Sequence, residues 1–455
     1  MSGNANLIFL LFLNILAISA LNQEGLSLLS WLSIFNSSHS ATFFASWNAT
    51  HKNPCQWGYI KCNCDGFVSE INISSIDLCT TFPIQFVSFN FLTTLVLSYG
   101  NLIGEIPCSI GNMSSLVSLD LSYNALTGRI PPEIGKLSQL QLLSLGSNSL
   151  QDGIPTEIGN CSKLQQLLLK LSSWWKPGNL RRDPNADVTM QTTTGLAEAG
   201  MSGKIPYNIG ELKNLEILSV YSANLTGEIP SELSLLKNLQ LLYLAQNNLS
   251  GSIPMSLGNC SSLSLIDFSS NSLMGEIPSE LSLLRNLKFL YLLRNNLSGS
   301  IPGFLGNLKN LSLWENNLSG SIPRSIGTCS SLTLIDFSSN SLTGEIPSEL
   351  SLLKNLQFLY LRRNNFNGSI PRSLGNCSSL IVIEFTSNSL MGEIPNLTQN
   401  KLGGNIPRSL GNCSSLTTID FSMNSLMGEI PSELSLLNNL RYLVLGKNKL
   451  SGSIS

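Results

Sequence analysis

Apolar side chains recur along this chain in a fixed order that fits neither a simple helix nor a simple strand. In residues 239 to 254, LQLLYLAQNNLSGSIP, leucines occupy 239, 242, 244 and 249, an asparagine occupies 247, and the unit closes on Gly-x-Ile-Pro. Leu242 and Leu244 alternate around Tyr243, which predicts a short strand with the leucines on one face and the tyrosine on the other. The closing proline returns at 107, 131, 206, 230, 254, 278, 302, 323, 347, 371, 395, 407 and 431, mostly at intervals of 24.

A period of 20 to 29 with L-x-x-L-x-L-x-x-N-x-L marks a leucine-rich repeat, in which each unit adds one strand to a parallel sheet and returns along the outer side. The expected fold is an α/β solenoid with its parallel β-sheet on the concave face. Leu242, Leu244, Leu249 and Ile253 should point into a shared core. Asn124, Asn148, Asn247, Asn271, Asn295, Asn316, Asn340, Asn364, Asn388, Asn424 and Asn448 hold the ladder position and should satisfy backbone groups between neighbouring turns. A second period of 48 is also present: residues 248 to 295 return almost unchanged from Asn317 to Asn364, which reads as duplication of repeat pairs.

Three breaks interrupt the register. Pro302 to Pro323 spans 21 residues, a shortening expected on the convex side, and Pro395 to Pro407 spans only 12, so one rung there is incomplete. Pro155 to Pro206 spans 51, with the excess in residues 170–200, a stretch without leucine periodicity or a ladder asparagine. That segment reads as an exposed insertion, either a functional island or a translated intron. The layout is then a signal peptide (1–20), an N-terminal cap (21–85), repeats (86–169), the insertion (170–200) and further repeats (201–455). Met1 to Ala20 has no charge and an apolar run of about twelve residues, too short for a bilayer and suited to a secretory signal.

In the cap, Leu26, Leu29 and Leu32 have helical spacing. In an oxidising compartment, Cys55 and Cys62 are expected to form a disulfide pinning it. Cys64 is expected to pair with Cys79, while Cys108 has no assigned partner. Cys161, Cys260, Cys329, Cys377 and Cys413 each follow a repeat proline by six residues and are expected to be buried free thiols.

The Leu-x-Gly-x-Ile-Pro close resembles the plant-specific repeat type, which implies a superhelix with a second short sheet on one flank. SWNATHKNPCQWGYIKC, GFVSEI and LTTLVLSYGNLIGEIPCSIGN resemble the start of the ectodomain of plant leucine-rich-repeat receptor-like kinases of subfamily XI, the branch of the root meristem growth factor receptors. The resemblance implies a plasma-membrane receptor whose concave face binds a secreted peptide or protein ligand, a co-receptor ectodomain as second partner, and a following membrane helix and Ser/Thr kinase. The family's Arg-x-Gly-Gly motif is absent near Leu218 to Asn224, and no Arg-x-Arg lies on a strand. The expected function is that of an extracellular, ligand-binding receptor-like protein in plant signalling without its own kinase; a secreted inhibitor resembling polygalacturonase-inhibiting proteins is the alternative, and a fragment of a full-length receptor kinase is another.

Composition narrows the chemistry. Only 12% of residues are charged, the formal net charge is −2, and there are two histidines, His39 and His51. This argues against nucleic acid as partner and against a histidine-based metal site or general base. Kinase motifs are missing, so no enzymatic activity, cofactor or metal is expected in this chain, and no segment is apolar enough to span a membrane. Function is expected on the outward strand positions: Tyr243, Asp267, Tyr291, Asp336, Tyr360 and Glu384, with Arg294, Trp314, Glu315, Arg362 and Arg363 in adjoining columns. Exposed Tyr, Trp and Arg dominate binding hot spots, and the arginine pair should draw an acidic or sulfated group. Sequons at Asn36, Asn48, Asn72, Asn112, Asn160, Asn224, Asn248, Asn259, Asn296, Asn310, Asn317, Asn367, Asn376, Asn396 and Asn412 would supply, through glycans, the hydration that charge does not. The expected localisation is extracellular, in the apoplast, or at the plasma membrane if the full-length product carries a membrane helix.

Overall fold

The computed structural model describes residues 21–34, 43–170, 201–303, 306–390 and 405–452. The expected signal peptide, all but the first residue of the insertion, the sequons Asn36 and Asn396 and most of the incomplete rung around Pro395 lie outside the described residues. The chain divides into two compact units at Leu225 and Thr226.

The first unit opens with helix α1 (Gln23–Leu32), whose start is capped where Asn22 Oδ1 accepts the Gly25 N–H at 2.9 Å. The helix that the spacing of Leu26, Leu29 and Leu32 predicts is present; those three are partly buried, and its fully buried face is Gly25, Leu28 and Trp31. Two contacts turn it: Leu21 packs into the space a side chain at Gly25 would fill, and Trp31 enters an aromatic cluster. The Trp31 ring lies 5.0 Å from Phe86, 6.3 Å from Trp47 and 6.4 Å from Phe44, between centroids. This cluster covers the apolar end of the repeats, as a solenoid cap must. The Cys55–Cys62 disulfide closes the cap, with Cα atoms 5.3 Å apart. Cys64 and Cys79 are free, exposed thiols, so the expected second pair is not formed. Cys64 sits in the turn between antiparallel strands Ile60–Cys62 and Val68–Asn72, and Cys79 in the irregular stretch after the second of them, with φ +45°.

Parallel strands follow at Thr94–Val96, Ser118–Asp120, Leu142–Ser144, Gln166–Lys170 and Ile217–Val220. Gln166–Lys170 pairs directly with Ile217–Val220, so the insertion interrupts one rung without adding a strand between them.

The second unit repeats this plan through strands Leu241–Tyr243, Leu265–Asp267, Phe289–Tyr291, Asn310–Ser312, Leu334–Asp336, Phe358–Tyr360, Val382–Glu384, Thr418–Asp420 and Tyr442–Val444. Neighbours are parallel and in register: Tyr243 stands beside Asp267, then Tyr291, Ser312, Asp336, Tyr360, Glu384, Asp420 and Val444. The middle residues Leu242, Ile266, Leu311, Ile335, Leu359, Ile383 and Ile419 are fully buried. The 21-residue rung has no 3-10 helix among its described residues, in contrast to its neighbours, which is where the shortening was expected.

The ladder asparagines do what their position implies. Asn340 Nδ2 donates to the carbonyls of Leu313, Phe337 and Ser338 at 3.0 to 3.1 Å, and its Oδ1 accepts the Leu318 N–H at 3.0 Å. One side chain thus satisfies groups of two rungs. The residue before each ladder position holds a left-handed backbone, including Arg294, Glu315 and Arg363 at φ between 53 and 58°. That conformation is uncommon for such residues and is fixed here by the ladder on either side.

Flank strands pair in twos: Thr226–Glu228 with Asn248–Ser250, Met274–Glu276 with Asn296–Ser298, and Thr343–Glu345 with Asn365–Asn367. In each pair the first strand ends in glutamate and the second is followed by a positive-φ glycine. A Cβ on Gly299 would lie 2.7 Å from Glu276 Cγ, so the glutamate of the first strand packs against the bare glycine that follows the second.

Candidate functional site on the outer strand face

The outward strand residues of the second unit form two differing stretches. In the first, Leu265, Tyr291 and Leu293 are nearly covered, at 5 to 8% exposure, by Leu241, Tyr243, Phe289 and Trp314, which keep part of their surface in water. This apolar cluster lies outside the solenoid core. Arg294 Cζ sits 4.6 Å above the Trp314 ring, and its Nε meets Glu315 Oε2 at 3.1 Å. That cation–π contact and ion pair border the cluster at one edge. Tyr291 Oη accepts a hydrogen bond from Asn310 Nδ2 at 3.1 Å, and Asn310 Oδ1 accepts one from Thr333 Oγ1 at 2.8 Å.

The second stretch holds Asp336, Tyr360, Arg362 and Glu384, with Asp420 one strand beyond Glu384. Arg362 Nη1 reaches Glu384 Oε2 at 3.6 Å. The guanidinium is therefore turned to a carboxylate of its own chain, while Arg363 is exposed. Burial pushes the Glu384 carboxyl above the usual range; Arg362 opposes that, and Asp420 and Asp336 add to it. Burial likewise raises Asp336, against the Ser338 N–H that donates to its Oδ1 at 3.0 Å. Asp267 and Asp420 accept the equivalent bonds from Ser269 and Ser422. These aspartates therefore close local turns.

The expected site residues thus fall into two groups: Tyr243, Tyr291, Arg294, Trp314 and Glu315 gather at the apolar cluster, and Asp336, Tyr360, Arg362 and Glu384 form the charged stretch. Asp267 and Tyr291 are buried, against the expectation of solvent-facing side chains, because the larger neighbours on the same face close over them. Leu241, Leu265, Phe289 and Leu293 were missed in the sequence, and Asp420, visible there as a recurrence of the Asp267 and Asp336 position, was not placed among the site residues. Their outward spacing was readable, but a leucine or phenylalanine beside an inward leucine looks like more core.

Among the described sequons, Asn310 alone is half-buried on the strand face; the others are exposed. The repeat cysteines are buried free thiols. The Cys260 Sγ donates to Leu233 O at 3.1 Å and Cys161 Sγ to Ile134 O at 3.2 Å, and burial pushes both thiols up to about 11. Among the described residues there is no cluster of metal-ligating side chains, and no helix is long and apolar enough to cross a membrane.

The rungs, the ladder and the pinned cap define a leucine-rich-repeat protein. Residues 21–63 match the leucine-rich-repeat N-terminal domain family, and leucine-rich-repeat models match residues 306–366 and five further single rungs between 115 and 437. A solved structure of the plant peptide hormone receptor RGFR1 in complex with RGF2 is 33% identical, with a TM-score of 0.65, covering 88% of this chain and 73% of that one. The Arabidopsis thaliana kinases RGI3 and RGI4 are 44% identical over 89 residues and 42% over 105. Those matches take in 19% and 22% of this chain, but only 8% and 9% of the two kinases, so the chain spans a small part of their length. The HAESA ectodomain of Arabidopsis, solved with an IDA peptide hormone ligand, is 28% identical at a TM-score of 0.56, covering 96% of this chain and 83% of that one. The chain belongs to the leucine-rich-repeat ectodomains of plant receptor-like kinases.

Proposed function

We propose that this chain is the ligand-binding part of an extracellular leucine-rich-repeat receptor in plant signalling, taking a secreted peptide or protein along the outer strand face from about Tyr243 to Glu384. The observation that carries this reading is the apolar cluster around Leu265, Tyr291 and Leu293, partly open to water on a face the solenoid does not need for its own core. Such patches on a soluble surface mark interaction sites, and tyrosine and tryptophan are the common anchors. Consecutive rungs about 4.8 Å apart give a straight track that suits an extended chain. Relatives solved with peptide hormones support the same reading. A co-receptor ectodomain is the second partner of this proposal, and glycans on the exposed sequons supply hydration; a full-length product with a membrane helix and kinase is the alternative setting for the same binding part.

The test selects binders for the whole chain from a random dodecapeptide library. Trp314→Ala combined with Phe289→Ser should weaken the enriched peptides by about tenfold, while Leu283→Glu, on an exposed leucine of a 3-10 helix, should leave them within about twofold. Equal losses from both, or none from the first, would refute the reading.

A further inference from the structure

The outer face of the second unit is graded. Its apolar cluster ends at Trp314, and beyond it the in-register column carries Asp336, Tyr360, Glu384 and Asp420. Glu384 and Asp420 stand side by side on adjacent strands, where like charges repel. Of the cations nearby, Arg362 is committed to Glu384, Arg294 is committed to Trp314 and Glu315, and Arg363 lies in the bend past the strand. Asp336, Glu384 and Asp420 thus share a single ion-paired guanidinium.

We propose that the occupant of this face is an extended peptide with an apolar, preferably aromatic, side chain on the Leu241–Trp314 cluster and a lysine or arginine four or five residues away, against Glu384 and Asp420. This rests on the reading of the outer face as the ligand surface and adds the ligand's chemistry and polarity. From the strand of Ser312 to that of Glu384 is three strand steps, about 14 Å at roughly 4.8 Å each. An extended chain covers that distance in four to five residues at about 3.3 Å per residue. The apolar side chain removes water from Leu241, Tyr243, Phe289 and Trp314, the exposed rim of the cluster. The cation lies between two carboxylates whose mutual repulsion it relieves, and makes charge-assisted hydrogen bonds to them. A ligand acid at the same place would meet Glu384 and Asp420 first, so the face discriminates by sign as well as by attraction.

The library selection tests this when run in parallel on the natural chain, on Glu384→Lys with Asp420→Lys, and on the milder Glu384→Gln with Asp420→Asn, each checked by its thermal melt. Peptides enriched on the natural chain should carry an aromatic or large apolar residue and a Lys or Arg at a spacing of four or five. The lysine variant should weaken those peptides at least about tenfold and instead enrich Asp or Glu at that spacing; the neutral variant should lose the charge preference. Peptides that depend on Trp314 and Phe289 but show no charge preference, or one the variants do not move, would overturn this proposal and leave the outer face as the ligand surface. Peptides indifferent to Trp314 and Phe289 would overturn both.

Discussion

The two units carry the same inner column and different outer ones. In the first, Leu95, Leu119, Leu143 and Leu167 are fully buried; in the second, Leu242, Ile266, Leu311 and Ile335 are buried to the same degree. Beside these inward residues, the first unit places Thr94, Val96, Ser118, Asp120, Leu142, Ser144, Gln166, Leu168, Ile217 and Ser219, none of them aromatic, whereas the second places Tyr243, Phe289, Tyr291, Phe358 and Tyr360 among its own. Close packing fixes what the inner column can be. The outer column has no such constraint, and the proposed recognition role rests on its difference between the units. The first unit's outward aromatics past the strands include a stacked pair, Tyr99 and Tyr123, with centroids 4.1 Å apart.

Breaking the inner column should cost most. Ile335→Ala leaves a cavity in a close-packed rung and should lower unfolding free energy by about 2–5 kcal/mol, read by chemical denaturation. Phe289→Ala, on the outer face of the same unit, should cost less than half as much. Next comes the ladder: Asn340→Ala strands the Leu318 N–H and the carbonyls that Asn340 now satisfies, at about 1–3 kcal/mol. A third pair compares two glycines. A Cβ on Gly327 would lie 2.6 Å from the Glu349 carbonyl, whereas one on Gly446 would meet nothing within 4 Å. Gly327→Ala should therefore cost about 1–3 kcal/mol and Gly446→Ala almost nothing.

The smallest effect is one of pH. Burial raises the Asp336 carboxyl above its ordinary 3.8, so the folded chain holds that proton more tightly than the unfolded chain. Its contribution to stability is present at low pH and is lost as pH rises through the raised value. Asp336→Asn should match the natural chain in melting temperature near pH 3.5 and gain on it toward neutral pH. A gap that closes instead as pH rises would show that Ser338 and Arg362, which favour the charged form, outweigh burial.

Much of this was legible in the sequence because a repeat states its own packing. The strand at each L-x-L, the ladder at Asn124 through Asn448 and the buried cysteines follow from position within the unit, and the Cys55–Cys62 closure from the cysteines of the cap. What escaped depends on neighbours outside the unit. The buried face of α1 is set by Leu21 and by rings from Phe44 to Phe86, and no heptad-like count contains them. The commitment of Arg362 to Glu384 joins adjacent rungs, so a column of single letters shows a free arginine. The apolar cluster was hidden by the leucine content itself, since Leu241 and Leu242 differ in direction and not in type. The packing of Glu276 against Gly299 needs the flank strands side by side and cannot be read from one unit.

The central claim is that the second unit's outer column, and not the solenoid as such, does the recognising. It is tested by giving that unit the first unit's outer residues, with Phe289→Ser and Tyr291→Asp copying Ser118 and Asp120 at the same strand positions. The inner Leu290 is left in place. Binding of the library-selected dodecapeptides, measured by calorimetry on the whole chain, should then fall at least about tenfold while the melt stays cooperative. Undiminished binding by a chain that still melts cooperatively would contradict the account.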